Sequence, residues 1–296
     1  KVPPMSAAGR EALVAGATGA AAVAPERRKA KSGASRRYPP DDVAAFDAHV
    51  LLELDGLRVG IDACPSASIK GDLMLVLSSI LVKLSRRRSD TSTAEAPKRL
   101  AAGYPARLFV NKTTELASSL ALVEERLARS PAATVLEGDA RELRGVAAGT
   151  VDAVVSSPPY AGVYDYLEHH RARLRWLGKD ARPFLRSELG SKRALSSLSP
   201  AEAIDTYGRE MTAVLRALHR VTKPGALAAL LVADSAFGRT PLAADAVVVE
   251  AGRLAGFEPR ASASQVRPHF DAATQRAFAR APRLEHVVVL ERTRSR

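Results

Sequence analysis

Apolar and polar positions alternate along this chain in two different rhythms. Over residues 41–130 apolar residues recur at helical spacing, and this region reads as mostly helical. Asp41-Asp42 is placed to cap a helix running through Phe46 and Leu51. Asp72 to Leu84 is apolar densely enough for a buried helix. Thr114 to Arg129 predicts an amphipathic helix with Leu116, Leu120, Leu122, Val123 and Leu127 on its inner side. From about residue 132 short apolar runs alternate with helical segments. Strands are predicted at Thr134–Glu137, Val151–Val155, Ala226–Ala233, Ala261–Val266 and Glu285–Leu290. Helices are predicted at Tyr164–Leu177, at Pro200–Val221 ending on Lys223-Pro224-Gly225, and at Pro241–Ala255. Such alternation implies a parallel sheet with right-handed crossovers. The last two strands have only a loop between them, which implies an antiparallel pair at the sheet edge.

Composition adds three constraints. The 296 residues carry a formal net charge of +12, which suits a polyanionic partner and equally a host with Arg- and Ala-rich codon use. Residues 1–40 are rich in Ala, Gly, Pro and Arg and predict a flexible basic arm, either merely solvated or binding nucleic acid. The single cysteine, Cys64, excludes a disulfide framework within the chain, and no Cys/His cluster points to a metal. A reducing, cytoplasmic setting is expected. No run is long and apolar enough to predict a membrane span, and no signal-peptide pattern opens the chain.

The stretch with chemical content is Val151-Asp152-Ala153-Val154-Val155-Ser156-Ser157-Pro158-Pro159-Tyr160. An apolar strand meets two prolines, neither of which can donate to a ladder, and each holds its predecessor extended. The result is a stiff loop at the carboxyl end of a buried parallel strand, which is where open α/β sheets bind ligands. Ser157 offers a hydroxyl, Pro158 a carbonyl with few local partners, and Tyr160 a flat face with a polar tip. Together they can hold an exocyclic amine. The plainer alternative is a proline-rich loop with a tyrosine packed on it.

Ser157-Pro158-Pro159-Tyr160 resembles the catalytic motif of the S-adenosylmethionine-dependent methyltransferases that modify exocyclic amines of nucleic-acid bases, in the serine form typical of the DNA cytosine-N4 type. Glu137-Gly138-Asp139-Ala140-Arg141-Glu142-Leu143 resembles that superfamily's acidic turn after the third strand. Arg220 to Asp234 resembles its fifth-strand region, and Gly256-Phe257 its approach to the terminal strands. The resemblance covers about residues 130–292. It implies a Rossmann-like class I methyltransferase sheet, mostly parallel with an antiparallel terminal strand pair, and a catalytic region at 131–296. Ser157, Pro158, Pro159 and Tyr160 would be catalytic, and Gly138, Asp139, Ala140 and Ser156 would meet S-adenosylmethionine. DNA or RNA would be the partner and no metal would be needed. Methyl transfer to an adenine, or a catalytically inactive nucleic-acid-binding relative, are the alternatives.

One family feature has no counterpart. The glycine-rich loop after the first strand is absent; Val59-Gly60-Ile61-Asp62 and Ala15-Gly16-Ala17-Thr18-Gly19-Ala20 are weak echoes. The chain opens on Lys1, so the expectation is that the first strands lie upstream and that residues 41–130 are a helical insertion, with target recognition as a role. A degenerate protein is the alternative. Arg86, Arg87 and Arg88 between hydroxyl residues, and Arg171 and Arg175 in the basic stretch around Trp176, are candidate phosphate contacts, against solvated helix faces with Trp176 in the core. Asp165 and His169, four apart, are placed to share a helix face, and Asp234 either faces the pocket or caps a helix.

Overall fold

The structure is a computed structural model that describes residues 5–30, 38–88, 95–96, 98–127, 130–269 and 272–293. The chain forms two compact units, one of Lys1–Val135 with His169–Ala181, the other of Leu136–Glu168 with Arg182–Arg296.

The first unit is helical. Where composition predicted a flexible arm, α1 spans Ala7–Lys29, its Ser6 side chain accepting from Gly9 N–H at 3.2 Å. Leu13, Ala17, Ala20 and Ala24 recur at spacings of three and four and are buried, so small residues rather than large ones make its core stripe. That stripe was hidden in the Ala-rich composition. The remainder of the expected arm, residues 31–37, lies outside the described residues. α2 (Pro40–Ala45) and α3 (Ala48–Asp62) follow as separate helices, broken at Phe46 by extended backbone. α4 spans Ala67–Leu84 and α5 Tyr104–Leu127. Gly56 and Gly60 of α3 let it lie against α1: a Cβ on Gly60 would stand 2.5 Å from Ala20 Cα, and one on Gly56 2.7 Å from Ala24 Cα. Gly60 is thus a helix-packing residue, not part of a cofactor loop. Leu122 and Val123, expected inside, are 63% and 44% exposed, because the stripe Ala106, Phe109, Thr113, Ala117 fixes the opposite face of α5.

Three buried carboxylates organise this unit. Asp55 accepts from Arg27 Nε at 2.6 Å, Glu53 from Arg28 Nη1 at 2.7 Å and from Gly103 N–H at 2.7 Å, and Asp42 from Arg175. Three of the chain's arginines are therefore committed to internal ion pairs, and the net charge of +12 is left to the remaining basic residues. Trp176 is 1% exposed, stacked on Tyr38 at 4.7 Å between ring centroids and edge-on to Phe46 at 6.2 Å. Burial and the Asp55 charge push the Tyr38 hydroxyl up to about 12.

The second unit is mixed α/β. β1 is Val151–Ser156, and the chain passes between the units within α6 (Tyr166–Trp176). Short helices α7 (Arg182–Ser187) and α8 (Lys192–Leu195) precede α9 (Pro200–Val221). α9 begins with a capping box between Ser199 and Glu202 and with Pro200 at its first position, and buries Ala203, Tyr207, Met211 and Leu215 at intervals of four. β2 (Thr222–Ala233) leads to a hairpin of β3 (Ser235–Phe237) and β4 (Thr240–Leu242), so the helix expected from Pro241 starts only with α10 at Ala244–Leu254. Asp234 sets that start, its carboxylate accepting from Ala244 N–H at 2.9 Å. β5 (Phe257–Val266), α11 (Ala272–Ala277) and β6 (Leu284–Arg292) complete the unit, so a short helix stands where only a loop was expected.

The sheet order is β1-β2-β6-β5. β1 and β2 pair in parallel, with Val155 opposite Ala229 and Ser156 opposite Leu230. β6 runs antiparallel to both β2 and β5, so three strands share one direction and the last opposes them. Ala228, Leu230, Val232, Val288 and Leu290 form one core with α9 and α10. β1, expected to be buried, is an edge strand, and Val155 is 88% exposed. Residues 134–137 are exposed coil instead of the expected strand, since a strand needs a ladder partner and none is formed there.

Candidate functional site

β1 delivers Ser157-Pro158-Pro159-Tyr160 at its carboxyl end, and the ladder stops at Ser156, one residue before the prolines' neighbour. Two long-range bonds then pin the corner. Tyr207 of α9 donates its hydroxyl to the Pro159 carbonyl at 3.0 Å. Tyr160 donates its own to Glu285 Oε1 of β6 at 2.9 Å. Glu285 Oε2 in turn accepts from Arg267 Nε at 2.7 Å and Gln265 Nε2 at 3.1 Å. A tight turn follows, with Val163 N–H on the Tyr160 carbonyl at 3.2 Å and Gly162 N–H on the Gly190 carbonyl at 3.0 Å. Gly162 sits at φ 65, and a Cβ there would lie 2.5 Å from the Phe237 ring. The corner is thus fixed by α9 and β6 as well as by its prolines.

The electrostatics follow from these contacts. Burial, and then the Glu285 acceptor, raise the Tyr160 hydroxyl above its ordinary range, while Ser157's hydrogen bond to it acts the other way. Burial would raise Glu285, but the donors Arg267, Tyr160 and Gln265 outweigh it and hold the carboxyl low. Tyr160 therefore stays a neutral donor and its ring stays in place. Ser157 is exposed, and no donor from the described residues meets the Pro158 carbonyl. A hydroxyl, a carbonyl and a half-buried ring are what this corner presents to an incoming group.

The other expected site residues are placed as follows. Asp139 forms a turn, accepting from Glu142 and Leu143 N–H through its carbonyl. Its carboxylate is taken by Arg141, with Nη2 at 2.6 Å and Nε at 3.0 Å, and these bonds hold it below the usual carboxylate range. Gly138, Ala140 and Ser156 are exposed. Arg175 is committed to Asp42, which is 1% exposed, by bonds of 2.5 and 3.1 Å, so its expected phosphate contact gives way to a structural ion pair. Arg86 pairs with Asp47 at 3.0 Å, the backbone of Arg87 forms an isolated antiparallel β-bridge with that of Glu95, and Arg88 and Arg171 are exposed. Arg171, Arg175 and Trp176 belong to the helical unit, not to the unit that carries the motif.

Several residues that matter here left no signal of their own. Tyr207 reads as one apolar position in an amphipathic helix, and Glu285 as the first residue of a strand. Glu188 accepts from Tyr166 and Leu167 N–H at 2.5 and 3.3 Å, capping α6, and lies against Asp165 and Arg193. Its carboxyl is raised by burial and by the Asp165 charge. Asp234, Asp245 and His286 bring ligand atoms within 4.8 Å of one another. Asp234, however, already accepts from Ala244 N–H, from Leu284 N–H at 3.0 Å and from His286 Nε2 at 3.0 Å. It acts as a helix cap and a strand clamp. Beside the turn at Gly162 opens a cleft of ≈ 420 Å³.

The second unit therefore belongs to the mixed α/β class, with its candidate site at the carboxyl end of an edge strand. Among solved structures, the chain resembles two crystal structures of one Thermus thermophilus protein, provisionally described as a DNA modification methylase, at 19% and 20% identity and TM-scores of 0.33 and 0.32. The likeness covers 53% and 54% of this chain and 52% and 53% of those chains, so this chain spans about half their length. It also resembles the antibiotic-resistance methyltransferase Kmr at 18% identity and a TM-score of 0.22, over 55% of this chain and 97% of that one. No protein-family model matches the chain, and no curated protein does.

Proposed function

We propose that this chain acts in methyl transfer to an exocyclic amine of a nucleic-acid base, with cytosine N4 of DNA as the acceptor and S-adenosylmethionine as the donor. The observation that carries this reading is the pinned corner: Tyr207 on the Pro159 carbonyl and Glu285 on the Tyr160 hydroxyl, with Ser157 left exposed. A base turned out of its stack would lay its ring on Tyr160 and offer its amine to the Ser157 hydroxyl and the Pro158 carbonyl. Two acceptors fix both N–H bonds of the amine and so aim its lone pair outward. Fixing the geometry of an attacking atom supplies a large part of a rate enhancement. Because both prolines and both long-range bonds exist before any base arrives, little reorganisation is left for the moment of reaction.

The donor side is sparser. S-adenosylmethionine supplies an electrophilic methyl on a sulfonium. Asp139, the family's expected contact to the donor's adenine, is paired with Arg141, and no glycine-rich loop follows a strand in the sequence. The residues present do not by themselves complete a donor site. The same engagement of Asp139 favours a second reading, a nucleic-acid-binding relative without transfer. Calorimetry with S-adenosylmethionine, followed by nucleoside mass spectrometry after incubation with DNA or RNA, separates the two. N4-methylcytosine in DNA supports the first reading; donor binding and methylated bases both failing to appear would leave the second.

A further inference from the structure

We propose that Glu210 of α9 is a positioning residue for the Ser157–Tyr160 corner, acting through Gly190. The inference deepens the methyl-transfer reading and rests on it for its kinetic consequence alone.

Gly190 is where the chain returns to the corner. It is buried, at φ 64, and a Cβ there would stand 3.2 Å from the Tyr207 ring and 3.5 Å from the Pro159 carbonyl oxygen. Its backbone therefore lies against both partners of the bond that pins the second proline. Its carbonyl accepts from Gly162 N–H at 3.0 Å, which closes the turn after Tyr160. Residues 160–162 are thus held from outside by one peptide segment as well as by the prolines before them.

Glu210 holds that segment. Its Oε2 accepts from Gly190 N–H at 3.0 Å. A buried N–H has to find an acceptor, and Gly190 belongs to no helix or strand that would supply one. Tyr207 and Glu210 stand three residues apart on α9 and so leave it on one side. One turn of helix grips the corner twice, Tyr207 at the Pro159 carbonyl and Glu210 at Gly190.

The neighbouring charges on α9 behave differently. Asp205 and Arg209 pair with each other at 3.2 Å, with side chains 65% and 71% exposed. The Glu210 side chain is 23% exposed, and its Oε1 faces Arg141 Nη1 across 3.9 Å. Arg141 in turn bonds Asp139 and the Ser187 carbonyl. The carboxylate is thus met by Gly190 on one side and by a guanidinium on the other. A shift of Gly190 would carry the Gly162 turn and the Tyr160 ring with it, and a misplacement of about 1 Å can cost about a hundredfold in rate.

Amide hydrogen exchange of the full 296-residue chain, read beside steady-state transfer to DNA, tests this. In Glu210→Ala the amides of Gly162 and Gly190 are expected to exchange at least about tenfold faster, while those of β2 and β6 keep their wild-type rates. The kcat for transfer should fall at least about tenfold with KM for S-adenosylmethionine unchanged. Glu210→Gln keeps an oxygen for Gly190 N–H and should restore most of both losses. Asp205→Ala, on the exposed face of the same helix, should change neither. Wild-type exchange at Gly162 and Gly190 in Glu210→Ala, equal acceleration in β2 and β6, or failure of Glu210→Gln to restore protection would each overturn the proposal. Exchange that moves as expected in a chain that methylates nothing would keep the positioning role and remove the methyl-transfer reading. Unchanged exchange in a chain that methylates cytosine would do the reverse.

Discussion

Tyr207 and Pro159, 48 residues apart, share a hydrogen bond of 3.0 Å, and it ties the middle of α9 to the second proline of the corner. The bond is sheltered, since Tyr207 is 1% exposed, and burial pushes its hydroxyl far above the ordinary range. The corner is thus a joint between a helix and a strand end, not a free loop.

Tyr207→Phe keeps the ring and removes the donor, leaving the Pro159 carbonyl without its partner. A loss of about 1–2 kcal/mol is expected in the urea-unfolding free energy. If the corner positions a base, transfer should fall by more than stability does, and nucleoside mass spectrometry would show it.

Ser157→Ala and Tyr160→Ala should abolish most methyl transfer while leaving nucleic-acid binding and its salt dependence in place. Tyr160→Phe separates the ring from the anchor. It keeps the stacking face but releases Glu285, so intermediate activity is expected. Full activity in Ser157→Ala and Tyr160→Ala would remove the corner from the mechanism.

Arg175→Ala strands Asp42, whose side chain is 2% exposed, as an unpaired buried charge. Destabilisation of about 3–5 kcal/mol is expected for the helical unit, whereas Arg86→Ala on the exposed Asp47 pair should cost under about 1 kcal/mol. Thermal and urea unfolding of the two variants check the contrast.

Glu188 gives a pH signature. Its folded carboxyl is raised by burial and by Asp165, so between the unfolded value of about 4.3 and the raised one the folded protein holds a proton that the unfolded chain has released. Stability from this group therefore falls as pH rises through that window and is retained below it. Glu188→Gln keeps the acceptor for Tyr166 and Leu167 N–H and removes the charge. A flatter urea midpoint from about pH 4 to about pH 7 is the expected difference from wild type.

Gly162→Ala forces a Cβ to within 2.5 Å of Phe237 at a backbone φ of 65. A loss of about 2 kcal/mol or more is expected in the urea-unfolding free energy.

What the sequence determined by itself was local. Two prolines after an apolar run fix a strand end wherever they occur, and the Ser199-Pro200-x-Glu202 box with apolar residues at intervals of four fixes α9, because both depend on neighbours within a few positions. α1 escaped notice because its stripe is built from alanines, which carry little apolar contrast. The tertiary structure alone decided which partner each of these polar groups takes: Tyr160 meets Glu285 through the register of β6, Arg175 meets Asp42, and Tyr207 meets the Pro159 carbonyl. Those choices are settled by packing across the fold, where one carboxylate can satisfy only the donors that the surrounding elements bring to it. No spacing along the chain encodes that competition.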